Sequence, residues 1–185
     1  MFYKIASALI VLGLTLASNL HAETLKILIV DGQNNHDWKA TTPVLKQELE
    51  STGLFQVDVA TAPPGADTSG FRPNFAAYSA VLSNYNGADW PRETQQALVE
   101  FVKLGGGLVI VHAANNSFPQ WKEYNEMIGL GGWGGRNEAA GPYVRFRNGQ
   151  TIRDTTAGAG GHHGAQHPFQ IVIRNPAHPI TAGLP

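Results

Sequence analysis

The histidines carry most of the chemistry this sequence can offer. His112 closes a run within GGGLVIVHAANNSF, residues 105–118, where glycines and apolar residues lead straight into an imidazole, two alanines and two asparagines. An imidazole titrates near neutrality, so at such a tip it suits proton transfer or metal ligation. The alternative is a structural histidine bonded to a carbonyl, because an unpaired imidazole at the end of a buried run is costly. His36 lies in a second polar cluster, shortly after LIVDGQNN. A third, GGHHGAQHPF, holds His162, His163 and His167, with His178 further on. His163 and His167 are four residues apart, which puts two imidazoles on one face only in a helix, and the surrounding glycines oppose one. A divalent metal held by His36, His112 and one of His163 or His167 is one reading; a solvated glycine–histidine loop is the other.

Other chemistries are excluded. There is no cysteine, hence no disulfide and no thiol nucleophile. No GxSxG elbow, no dinucleotide GxGxxG after the first strand, no GxxxxGK[ST] and no HExxH occurs. Residues 1–22 begin with Lys4, continue through an apolar stretch and end at Leu20-His21-Ala22, the pattern of a cleavable secretory signal. The expectation is therefore an exported protein, periplasmic or secreted. Its mature chain, residues 23–185, forms one domain with no membrane span. That mature chain has 12 basic and 14 acidic residues, too little positive charge for nucleic acid.

These groups need elements to position them. LKILIV at 25–30 is a short, nearly continuous apolar run, as in a strand covered on both faces. Thr42-Pro43 predicts a helix start, with Val44, Leu45 and Leu49 on the buried face and Gly53 as the stop. Phe55, Val57 and Val59 alternate with polar residues, predicting a peripheral strand. YSAVLS at 78–83 is a third strand. A second helix follows over 91–104, burying Ala97, Leu98, Phe101 and Val102, and then a fourth strand at 108–111. This order predicts a doubly wound, mostly parallel α/β sheet. Eleven of the 21 glycines fall at 129–164, which predicts an irregular region there, with a short hairpin at Asn148-Gly149. FQIVI at 169–173 predicts a further strand. HPITAGLP is turn-like, and the chain reads as C-terminally incomplete.

Ligands of open parallel sheets bind outside the carboxyl ends of the strands. Three such ends carry polar groups: Asp31, Gln33, Asn34, Asn35 and His36; then Asn84 and Asn86; then His112, Asn115 and Asn116. They are expected to converge on one rim, unless the asparagines are ordinary loop and capping residues. Trp38 and Trp133 are expected in rim loops, where an indole can stack on a sugar ring. Trp90 and Trp121 read more simply as core.

LIVDG with His36 after it, GGGLVIVHAA with Phe118, Gly132-Trp133-Gly134, HPF at 167–169 and NPAHPITAG at 175–183 together resemble the trehalose-utilisation (ThuA-like) family. The resemblance runs from Leu25 to the end. It implies a flavodoxin-like sheet of the class I glutamine amidotransferase type. In that type a cysteine sits at the turn here occupied by His112-Ala113-Ala114-Asn115, so glutaminase chemistry is ruled out. It also implies a small-molecule carbohydrate substrate, a 3-oxo-glycoside or disaccharide related to trehalose breakdown. His36, His112, Phe118, His167 and His178 are the matching positions. On that reading His112 is the base that removes a proton α to the carbonyl. His36 or His167 polarises the carbonyl, directly or through a metal. Asn84, Asn115, Phe118 and Trp133 contact the sugar. The alternatives are a non-catalytic carbohydrate-binding module and a metal-dependent hydrolase of another small substrate.

Overall fold

A computed structural model describes residues 23–129, 131–161 and 163–184; the expected leader at residues 1–22 lies outside the described residues. The chain divides into two compact units, the first ending at Gly129.

In the first unit, β1 (Leu25–Asp31), β2 (Phe55–Thr61), β3 (Ala80–Ser83) and β4 (Gly107–Ile110) form one parallel sheet in the order β2-β1-β3-β4. α1 (Trp38–Ser51) connects β1 to β2 and α2 (Arg92–Lys103) connects β3 to β4; α3 (Lys122–Ile128) follows. The alternation of side chains along β1 shows why helices lie on both faces. Ile27 and Ile29 pack with Val57, Leu82 and, from α1, Leu45 and Leu49. Leu28 and Val30 face the other way, into a cluster holding Leu98 and Phe101 of α2 and Tyr124 of α3. Burying each such side chain stabilises the fold by about 1.5–3 kcal/mol. This is the doubly wound architecture predicted, with β2 on the edge.

Several local expectations shift. α1 begins at Trp38, not at Thr42, because the Asp37 side chain caps it, accepting from the Ala40 N–H at 3.1 Å. Trp38 is therefore the first helical residue and not part of a loop, and Pro43 lies inside the helix. Val44 is 56% exposed; the residue α1 buries in its place is Thr42. In α2 Ala97 is exposed, and Thr94 is buried because its hydroxyl donates to the Phe71 carbonyl at 2.6 Å. Trp90 and Trp121 are core, as expected. The glycine before β4 is required by packing: a Cβ on Gly106 would sit 2.3 Å from the Phe101 ring.

The second unit is built on β5 (Tyr143–Arg147) and β6 (Gln150–Asp154), an antiparallel hairpin in which Arg147 pairs with Gln150. Its two-residue turn is Asn148-Gly149, at φ 51° and 76°, the left-handed pair of a type I′ turn. Arg145 Nε lies 3.1 Å from Asp154 Oδ2 across the ladder. FQIVI forms no strand. Phe169, Ile171 and Val172 are 75%, 79% and 68% exposed, and the segment has no ladder partner among the described residues. A strand exists by pairing, so an apolar run alone does not make one. Residues 175–184 do fold as a turn, with the His178 carbonyl accepting from the Thr181 and Ala182 N–H groups.

Candidate functional site

The carboxyl ends of β1, β3 and β4 meet at the point where the chain turns one way from β1 to β2 and the other way from β3 to β4, the expected ligand position for such a sheet. β4 delivers His112. The ladder extends one residue past it, the Val111 N–H donating to the Ser83 carbonyl at 2.9 Å. The peptide between His112 and Ala113 is cis. Ala113 and Ala114 are wholly buried below the turn, and the Tyr124 hydroxyl donates to the Ala114 carbonyl at 2.8 Å. His112 itself is exposed and makes no hydrogen bond among the described residues.

Opposite it stands His36, also exposed, with the two ring centres 5.0 Å apart and the planes inclined at 48°. The loop that carries His36 is stitched to its neighbours by amides. The Gln33 side chain donates to the Pro63 and Gly65 carbonyls at 2.7 and 2.9 Å and accepts from the Ala88 N–H at 3.0 Å. Asn86 Nδ2 donates to Asn35 Oδ1 at 2.8 Å, and the Ser117 hydroxyl donates to the Tyr85 carbonyl at 2.6 Å. Gly32 makes the sharp exit from β1 at φ 118°, where a Cβ would lie 2.2 Å from the Ala62 carbonyl oxygen.

The three polar clusters do converge, but not all of them face outward. Asn84 is 2% exposed, and its carboxamide is fully engaged inside the protein. Asp31 is likewise buried, accepting from the Thr61 hydroxyl at 2.7 Å. Asn115 is half-buried, and its Oδ1 has no partner among the described residues. Phe118 is a correction to the sugar-contact reading: it is 1% exposed, with Tyr85, Trp90, Trp121 and Tyr124 within 5.0–5.8 Å of its ring centre. Burial holds the Tyr85 phenol up to about 12 and raises that of Tyr124 further.

The remaining predicted groups belong to the second unit. Trp133 is half-buried there, with the Arg136 guanidinium 5.8 Å from its ring centre. His163 and His167 are exposed on a segment with no helix, as their glycines implied. Each sets its Nδ1 against a neighbouring carbonyl, of Gly164 at 3.0 Å and of Pro168 at 2.7 Å. Among the described residues no group of three His, Asp or Glu side chains is placed to hold a metal. A recess of about 610 Å³ lies elsewhere, between α2 and the start of α3, lined by Arg92, Glu100, Lys103, Trp121 and Glu123. It offers mixed charge and no imidazole, so the rim is the better candidate.

Sequence reasoning found both facing histidines but missed Thr41 and Thr42, which anchor Asn84. The signal was present, since paired threonines one turn into a capped helix can serve as hydroxyl partners for a nearby loop.

A parallel sheet in this order, with helices on both faces and a polar rim at the switch point, defines a flavodoxin-like α/β protein. The sequence pattern of the trehalose-utilisation (ThuA) family matches residues 26–185, and the chain belongs to that family. It is similar to the crystal structure of a ThuA-like protein from Parabacteroides merdae, at 47% sequence identity and a TM-score of 0.84, over 88% of this chain and 59% of that one. The chain thus spans about three fifths of that protein's length. No curated protein matches it.

Proposed function

We propose that this protein is exported and acts on a 3-oxo-glycoside by moving the proton on C2, with His112 as base and His36 as the group that polarises the carbonyl. The observation that carries this reading is the imidazole pair, 5.0 Å between ring centres, on the rim of the sheet. A ketone at C3 acidifies the C2–H bond. His112 takes that proton, the bond's electron pair enters the C2–C3 enolate, and His36 donates a hydrogen bond to the oxygen where charge develops. The enolate then expels the C1 oxygen substituent, forming a C1–C2 double bond, and protonated His112 returns its proton to the leaving alkoxide. Isomerisation would share the first step and reprotonate elsewhere. Family membership supports a carbohydrate substrate, and the absence of cysteine excludes the glutaminase route.

The metal-dependent reading makes the same two imidazoles ligands of a divalent ion. No group of three His, Asp or Glu among the described residues is placed to hold such an ion, so no step is routed through a metal.

The test is incubation of the full chain with a 3-oxo-glucoside in deuterated water, following C2 by NMR. Exchange that falls about 10²–10⁴-fold in His112→Ala is expected for loss of a general base. Sugar binding with no exchange would assign the protein to the binding-module class instead. Exchange that stops with a chelator and returns with added metal would assign it to the metal-dependent class.

A further inference from the structure

We infer that Asn34 and Asn84 form a positioning brace that sets the distance between His36 and His112, and that neither contacts substrate; this rests on the proton-transfer reading above. Asn84 follows β3, which lies between β1 and β4, the strands that carry the loops of His36 and His112. Its backbone N–H donates to the Val30 carbonyl at 2.8 Å, fixing it to β1. Its Nδ2 donates to the hydroxyls of Thr41 and Thr42 at 3.0 and 3.1 Å, fixing it to the second turn of α1. Asn34 Nδ2 reaches the Asn84 carbonyl at 3.2 Å and its Oδ1 at 3.4 Å. Asn34 Oδ1 accepts from the His36 N–H at 3.0 Å. A continuous path thus runs from the middle strand through two carboxamides to the backbone of His36, the half of the imidazole pair that the β1 loop carries.

The chemistry of asparagine explains the choice. A carboxamide donates and accepts at once, so Asn34 can hold the His36 N–H and grip Asn84 together. A carboxylate would accept only, and a lysine would donate only. An uncharged brace also leaves the imidazoles without a fixed charge against them. His36 is exposed and its ring contact is with His112, so its backbone anchor sets where the ring can stand. The loop carrying it runs from Gly32 at φ 118° to the Asp37 cap, with no regular structure between.

The experiment compares Asn34→Ala and Asn34→Ser with the full-length protein. Serine can still accept from the N–H two residues on, but is too short to reach Asn84. Through-space NMR contacts between the imidazole protons of His36 and His112 are read first, without substrate. The brace predicts that these contacts are lost or weakened in both variants, while α1 and the sheet keep their amide protection. With the 3-oxo-glucoside, both variants should lose about 10–100-fold in kcat, as expected for misplacement on the order of 1 Å, with KM within about twofold of wild type. If Asn34→Ala fails to fold, Asn34→Ser decides. Ring contacts and kcat at the wild-type level in Asn34→Ser would overturn the brace. A rise in KM with kcat preserved would overturn it in favour of direct substrate contact. If the wild type shows no C2 exchange, proton transfer fails, and the ring contacts still decide the brace independently.

Discussion

Replacing Phe118 separates its place in the core from the sugar-contact role that the family likeness implied. The side chain is 1% exposed, T-shaped to Trp90, Trp121 and Tyr124 and stacked on Tyr85. Truncation to alanine should cost about 3–5 kcal/mol through lost burial and the cavity left behind. The ring pairs push toward the upper end, each being worth about 0.5–1.5 kcal/mol beyond area. Phe118 also sits at φ 54°, a left-handed conformation that costs a residue with a side chain roughly 1–2 kcal/mol and glycine almost nothing. Phe118→Gly should therefore be as stable as Phe118→Ala or more so, although it removes a further carbon. Urea unfolding followed by tryptophan fluorescence measures this, because Trp90 and Trp121 lie 5.0 and 5.3 Å from the Phe118 ring centre. The shift should fall in the midpoint with the slope unchanged. A loss under about 1 kcal/mol in Phe118→Ala, well below the cost of emptying a core site, would refute the burial argument. Glycine clearly below alanine would refute the backbone argument.

Two pH responses follow from the titrating groups. Burial raises Tyr85 to about 12 and Tyr124 also above the ordinary phenol value of 10.0, so the folded state favours their neutral forms. That stability is complete below pH 10 and is lost as pH rises through the folded values. Phenolate absorbance should show Tyr85 and Tyr124 silent until the first unit unfolds in alkali; normal titration of these two with the fold intact would contradict this. In the second unit, hydrogen bonds from Thr156 and Arg145 hold Asp154 below its ordinary value of 3.8. Its contribution is present above pH 3.8 and is lost as pH falls through the folded value. Amide exchange in β5 and β6 should accelerate below pH 3.8 in the wild type, and Asp154→Asn should remove that acid step.

Much of the fold was legible because short continuous apolar runs read as parallel strands: LKILIV became the inner strand β1, and GLVI became β4, an edge strand with Val109 49% exposed. The start of α1 was misplaced because Pro43 is the louder signal, while Asp37 caps the helix six residues before it through one side-chain oxygen. FQIVI has the composition of a strand, but pairing is a property of two segments and cannot be read from one. For the site, sequence showed which groups gather at the rim and not which way each faces. Asn84 and His36 both follow strands with similar flanks, yet one is sealed under Thr41 and Thr42 and the other is open. That difference comes from the path of α1 across the end of β3, a long-range fact with no local imprint. Phe118 misled for a related reason: a family match marks a position that matters without saying whether it matters to packing or to ligand.

The seam that joins the three rim loops is made of carboxamides, hydroxyls and peptide groups, none of which ionises across the ordinary working range of pH. Added salt has no charge there to screen. The backbone frame that carries the two imidazoles should accordingly hold steady while buffer, acidity and ionic strength change around the protein.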